Sequence, residues 1–131
     1  MFDFGQPIDF LLFVGALVSA ITIHEASHAF LADRLGDPTP RLQGRLTLNP
    51  LAHLDPIGTL MLFIFKFGWG KPVQFDPYNL KKPQTDSALI SFAGPASNFI
   101  TAALLSFLLR LVPSLFEFVL PFIQLNVALG I

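Results

Sequence analysis

Between Ser87 and Leu109 the chain runs for 23 residues without a charge. As a helix rising 1.5 Å per residue this is about 35 Å, and a hydrocarbon core about 30 Å thick needs some 20 apolar residues to cross. The run predicts a transmembrane helix, closed by Arg110 and Pro113. Composition agrees: of 131 residues, 53% are hydrophobic and only 13% charged, where soluble domains carry about 25% charge. A net charge of −1 with no basic run leaves nothing to meet a phosphate backbone, which excludes nucleic-acid binding and intrinsic disorder. The absence of Cys excludes a disulfide framework, a thiolate zinc site, an iron–sulfur cluster and a Cys nucleophile.

The remaining apolar stretches are shorter. Phe10 to Ile23 is uncharged for 14 residues, too few to span alone. It continues through HEASHAFLADRL, with Asp9 as N-cap, Gly36 as C′ residue and Pro38 beyond, which predicts one helix of roughly 40 Å over residues 9–35. A signal peptide is the competing reading, since Val18 and Ala20 resemble a cleavage site, but the basic n-region is missing. In DPTPRLQGRLTLNP, Leu42, Leu46 and Leu48 alternate around Gly44, which predicts a short strand or hairpin. Ile57 to Phe65 is half a bilayer long as a helix, introduced by Asp55 as N-cap and Pro56 at N1. The Gly/Pro-rich stretch after it holds Trp69 and Tyr78, residue types that favour the headgroup level. Pro121 to Ile131 gives 11 residues, about 16 Å of helix; a spanning helix should not stop there, so the sequence reads as an N-terminal fragment.

Basic residues set the expected orientation. Arg34, Arg41 and Arg45 follow the first helix, and Lys66, Lys71, Lys81 and Lys82 follow the short one, so the positive-inside rule puts both loops in the cytoplasm. The segment between them should then dip in and return, its irregular backbone buried in protein or lining a wet cavity. The expected fold is a mainly α, polytopic membrane helical bundle, residues 1–131 forming one membrane-embedded domain with a short cytoplasmic-side β-hairpin and a re-entrant segment.

His24-Glu25-Ala26-Ser27-His28 is an H-E-x-x-H. On a helix, positions i and i+4 share a face, so both imidazoles can point at one ion. A catalytic zinc takes three protein ligands plus water, and Glu25 is placed to act on that water as general base. The plainer alternative is a His pair satisfied by backbone or Ser27, with Glu25 in a salt bridge. Ionisable groups inside a membrane helix are costly and default to function. The pair lies about 9–15 Å below the cytoplasmic end of its helix, so hydrolysis requires a water-filled cavity open to the cytoplasm.

The ordered set HEASHAFLADRLGD, RLQGRLTLNPLAHLDPIGT, FGWGKPV and FAGPASN resembles the site-2 protease family of intramembrane zinc metalloproteases, from about Phe10 to Ile131. The resemblance implies a multi-pass enzyme of the cell membrane that cleaves transmembrane segments of other membrane proteins. His24 and His28 would hold one zinc ion per chain, and Glu25 would activate water. It also implies a third ligand, an Asp in an L-D-G motif on a later helix; these 131 residues contain no LDG, so two zinc ligands and negligible activity are expected of the fragment alone.

Other residues stay open. His53 is either an additional metal ligand or a hydrogen-bonding residue at the start of the re-entrant segment, and Asp55 reads as the cap before Pro56. In Gly94-Pro95-Ala96-Ser97-Asn98, Pro95 should kink the helix, and Ala93 and Ser97 form a small-xxx-small pair. Asn98 is either a packed, locally satisfied amide or, as the family's G-x-x-x-N element suggests, a group binding substrate backbone or the oxyanion. Asn126 has the same ambiguity. The Leu42/Leu46/Leu48 edge is expected to take up an unwound substrate by β-augmentation. Two rival functions are a membrane metal-binding or transport protein, and a relative that binds membrane helices without cutting them.

Overall fold

The computed structural model describes residues 4–131. Three helices are long and apolar enough to cross a membrane: Pro7–Arg34, Pro83–Leu111 and the stretch Pro113–Gly130. We call the first α1. A four-residue turn of helix, α2, covers Thr39–Leu42, and α3 covers Pro56–Phe65. The second long helix is α4 (Pro83–Leu111), and α5 is Phe116–Gly130, entered through a 3₁₀ turn at Pro113–Leu115.

α1, α4 and α5 pack on one another. Where they meet, α1 presents Ala16, Ala20, Ala29 and Ala32, all without solvent exposure; side chains this small let helix backbones approach closely, as membrane helices require. α4 runs antiparallel to α1, since its early residue Ile90 meets His28 and its later residue Asn98 meets Ala20. Outward-facing Phe92, Leu104, Phe107 and Leu111 are exposed, as lipid-facing side chains would be.

The element boundaries depart from expectation in two places. α1 starts at Pro7, and Asp9 sits inside its first turn, its carboxylate accepting the Gln6 backbone N–H at 3.2 Å instead of serving as N-cap. α5 begins five residues before Pro121. The hydrogen bond Pro121 cannot make belongs to the carbonyl of Glu117 in the first turn, so little of the helix is lost. α4 runs unbroken through Pro95.

The 35–82 connection runs back along α1 and returns. Leu46, Thr47 and Leu48 lie beside Ile23, Ala26, Ser27 and Phe30. α3, capped by Asp55 through the N–H groups of Ile57 and Gly58 (2.8 and 2.9 Å), reaches the N-terminal turns of α1, where the Phe63 and Phe10 ring centroids are 6.1 Å apart. The returning segment passes Ile21 at Gly70, Glu25 at Val73 and Asp37 at Asp76. Lys66, in a left-handed conformation at the end of α3 (φ 58°), places its ammonium 5.0 and 5.8 Å from the Phe4 and Phe10 ring centroids. It therefore sits at the opposite end of α1 from Arg34, not with the other basic residues, because the aromatic faces there attract the cation.

No β-hairpin forms around Gly44. Among the described residues the sole ladder element is the bridge Leu54–Gly70, extended by Lys71 N–H to His53 O at 2.8 Å. Leu42 ends α2 and Gly44 takes the left-handed conformation (φ +73°), with Arg45 N–H returning to Pro40 O at 2.9 Å. Leu42 and Leu48 are exposed, and the buried residue is Arg45. The alternation of leucines had no partner strand to pair with; the backbone bonds close a helical turn instead.

Candidate metal centre

His24, Glu25 and His28 sit in the second half of the apolar α1, half-buried, with one potential ligand atom from each inside 4.8 Å of the others. The two imidazoles stand nearly perpendicular, ring centroids 4.8 Å apart. Their hydrogen bonds decide which nitrogen is free. His28 Nδ1 lies 2.6 Å from Ile90 O, and a carbonyl only accepts, so Nδ1 carries the proton and Nε2 presents its lone pair. His24 Nδ1 lies 2.6 Å from Asn98 Oδ1, which gives the same tautomer.

Both Nε2 atoms converge on the backbone of α4 at Gly94. A Cβ there would lie 2.6 Å from His24 Nε2 and 2.5 Å from His28 Nε2. The missing side chain thus leaves the space into which the two lone pairs point. Two imidazoles beside a carboxylate, aimed into a gap of this kind, suit zinc; His24 and His28 would hold the ion through Nε2.

Glu25 is held from the other side. Its Oε2 accepts the Val73 N–H at 2.9 Å, leaving Oε1 for a further partner. Val73 is placed by Arg45, whose Nη1 donates to Pro72 O at 3.1 Å and whose Nη2 donates to Lys71 O. Burial lowers the Arg45 guanidinium below its ordinary value, and the nearby charge of Glu25 pulls it back up. Among the described residues, Arg45 Nε is the one buried side-chain polar atom without a partner. Counted in the sequence as a cytoplasmic-side cation, Arg45 is instead an interior clamp. A cleft of about 320 Å³, lined by Glu25, His28, Pro72, Val73, Phe75 and Ser91, opens onto the carboxylate and one imidazole. A second groove of about 440 Å³ lies against Ser27 and Phe30 but touches none of the three.

His53 stands outside the group. Fully buried, it engages Thr47 O through Nε2 (2.8 Å) and receives a long contact from Arg45 Nη2 on Nδ1 (3.4 Å). This matches its reading as a hydrogen-bonding residue near α3. Asn98 is fully buried against His24, and both its amide protons are engaged, to Ala20 O at 3.1 Å and Asn126 Oδ1 at 2.9 Å. Sequence reasoning gave Gly94, Arg45 and Val73 no contact with the His24, Glu25 and His28 group. For Gly94 a signal existed: it lies one turn before Asn98 and so shares its face.

Comparison with known proteins bears on what this constellation is. The chain is 46% identical over 96 residues, 73% of its length, to "Putative zinc metalloprotease YwhC" of Bacillus subtilis. The chain belongs to the site-2 protease family. Family members called Rip2 are 36% identical over 77% of the chain in Mycolicibacterium smegmatis and 33% over 82% in Mycobacterium tuberculosis. The matches cover 44%, 40% and 46% of these relatives' own lengths, so the chain spans less than half of each. No family model matches the chain, and no solved structure matches it.

Proposed function

We propose that this chain carries the catalytic core of an intramembrane zinc metalloendopeptidase that hydrolyses transmembrane segments of membrane proteins. The observation that carries the reading is the convergence of two imidazole lone pairs and a carboxylate inside 4.8 Å on a helix long and apolar enough to cross a membrane. A bound zinc, one per chain, supplies Lewis-acid polarisation of a carbonyl and a more acidic water. Glu25 is the general base, taking a proton on Oε1 while Val73 N–H holds Oε2 and fixes the plane of the carboxylate. The cleft beside Glu25 and His28 admits water and an unwound peptide; unwinding is needed because a helix engages its carbonyls in its own hydrogen bonds. The third ligand would be the L-D-G aspartate that the family resemblance implies, so the whole protein is the object to test.

Orientation belongs to the same proposal. Arg34, Lys81 and Lys82 share one surface at the C-terminal end of α1, and the positive-inside rule assigns that end to the cytoplasmic face of the cell membrane. The site then lies about 9–15 Å inside that face, beside the returning segment of the 35–82 connection at Val73.

The decisive experiment uses the whole protein in lipid vesicles with a transmembrane peptide substrate. Glu25→Gln is expected to retain zinc and lose at least about 100-fold in cleavage rate. Unimpaired turnover by that variant would remove Glu25 from its role, and zinc flux across the vesicles without cleavage would point to transport instead.

A further inference from the structure

Two buried amides and the carbonyls around them form a chain through the bundle with only one consistent set of donors and acceptors. It ends on two backbone carbonyls, Ala20 O on α1 and Phe122 O on α5, which can only accept. Asn126 must turn its Nδ2 to Phe122 O (2.8 Å) and therefore offers Oδ1 to α4. Asn98 must then turn its Nδ2 to both Asn126 Oδ1 (2.9 Å) and Ala20 O (3.1 Å). Its Oδ1 is left facing His24 Nδ1 at 2.6 Å. An oxygen in that place accepts, so the imidazole proton belongs on Nδ1. Were Asn98 turned over, its Oδ1 would oppose two acceptors at once and its NH₂ would face His24, drawing the lone pair to Nδ1 and the proton to Nε2, the atom that points into the gap at Gly94. Asn98 and Asn126 are both buried, at 0% and 1% exposure, so water is not at hand to rescue a mismatched amide.

We infer that Asn126 is a positioning residue for the metal centre: acting through Asn98, and together with Ala20 O, it holds the amide in the orientation that favours the His24 tautomer whose Nε2 lone pair is available to the ion. This extends the zinc reading above, and it makes the third helix of the bundle part of the ligand's outer shell without contact with the ligand. The role differs from contact of Asn98 with substrate, since neither amide proton of Asn98 remains to donate.

The test separates this inference from the zinc reading by working first without metal. In whole protein carrying ¹⁵N-labelled His, metal-free at pH 8 and above the ordinary imidazole pKa of about 6.5, long-range ¹H–¹⁵N correlations report which ring nitrogen is protonated. His24 is expected as the Nδ1–H form, and as a mixture of Nδ1–H and Nε2–H in Asn126→Leu, which removes one of the two acceptors that orient Asn98 and leaves only Ala20 O. Asn98→Asp offers acceptors whichever way it turns, so Asn98→Asp with Asn126→Leu is expected to restore the Nδ1–H form. Zinc titration should follow: about 10–100-fold weaker binding in Asn126→Leu, and no further loss on adding Asn126→Leu to Asn98→Asp. A His24 protonated on Nε2 in the unsubstituted protein overturns the inference without any variant. So does an Asn126→Leu protein whose tautomer and zinc affinity are unchanged. If the unsubstituted protein binds no zinc, the zinc reading fails while the tautomer result still decides the relay.

Discussion

In the α1–α4–α5 bundle the buried polar atoms that need partners belong to side chains. Asn98, Asn126, His24 and His28 lie among helices whose own backbone is already paired, and they bond to one another and to helix carbonyls such as Ile90 O and Phe122 O, which take a second hydrogen bond. In the 35–82 connection the situation is reversed: the backbone lacks regular partners, and buried side chains supply them. Asp37 accepts from Thr39 N, Thr39 Oγ1, Asp76 N and Asn79 Nδ2 at 2.6–3.0 Å, and Arg45 donates to the carbonyls of Lys71 and Pro72. The same rule, that buried polar groups must be satisfied, thus produces opposite solutions. The bundle orients the two imidazoles; the connection fixes the path of a loop that holds Glu25.

Substitutions on each side should break different things. The largest effect is expected at Gly94→Ala in the bundle. The new Cβ would fall 2.5–2.6 Å from both Nε2 atoms, so zinc binding should weaken by more than about 100-fold, while alanine's better helix propensity, about 1 kcal/mol, keeps α4 formed. Calorimetric zinc titration alongside circular dichroism would check both, and an unaltered affinity would refute the assigned gap.

Arg45→Met acts on the other region. Losing charged hydrogen bonds to two carbonyls should cost about 2 kcal/mol of stability and speed hydrogen exchange at the Val73 amide, with zinc affinity within about threefold of the parent. A collapse of zinc binding in this variant would show that the two regions are not separable.

A smaller loss, about 1–2 kcal/mol at pH 7, is expected for Asp37→Asn, and it carries a pH signature. Burial raises the Asp37 pKa, but the hydrogen bonds from Thr39, Asn79 and Asp76 outweigh it, and the net value is lowered. A carboxyl lowered on folding stabilises above its unfolded value and loses that contribution as pH falls through the folded one. The stability gap between the parent and the Asp37→Asn variant should therefore hold above about pH 4 and narrow below it. Urea titrations at about pH 7 and about pH 3, either side of that range, would measure it. The least effect is expected from Asp55→Ala, about 1 kcal/mol, confined to α3 and read as faster amide exchange at Ile57 and Gly58.

Much of this arrangement was readable from residue order. Uncharged length predicted α4, the apolar run continued to the Gly36 stop predicted α1, Asp55-Pro56 predicted the start of α3, and Gly36 lies in the left-handed conformation expected after a helix (φ +113°). The His-Glu-x-x-His spacing brought its three side chains together because a helix repeats its face every turn. The hairpin failed because alternation specifies a strand only where another strand is present to pair with. Charge alone did not tell that Lys66 meets aromatic faces or that Arg45 meets buried backbone carbonyls.

Local spacing along one helix therefore determined that His24, Glu25 and His28 come together. The tertiary structure alone decided which nitrogen each imidazole presents, which backbone N–H holds Glu25, and that a glycine faces the lone pairs. Those depend on contacts 48 to 78 residues apart in the chain. Periodicity within one element fixes only which side chains share a face; the identity of what faces them is set when helices pack, and each buried donor must then find an acceptor.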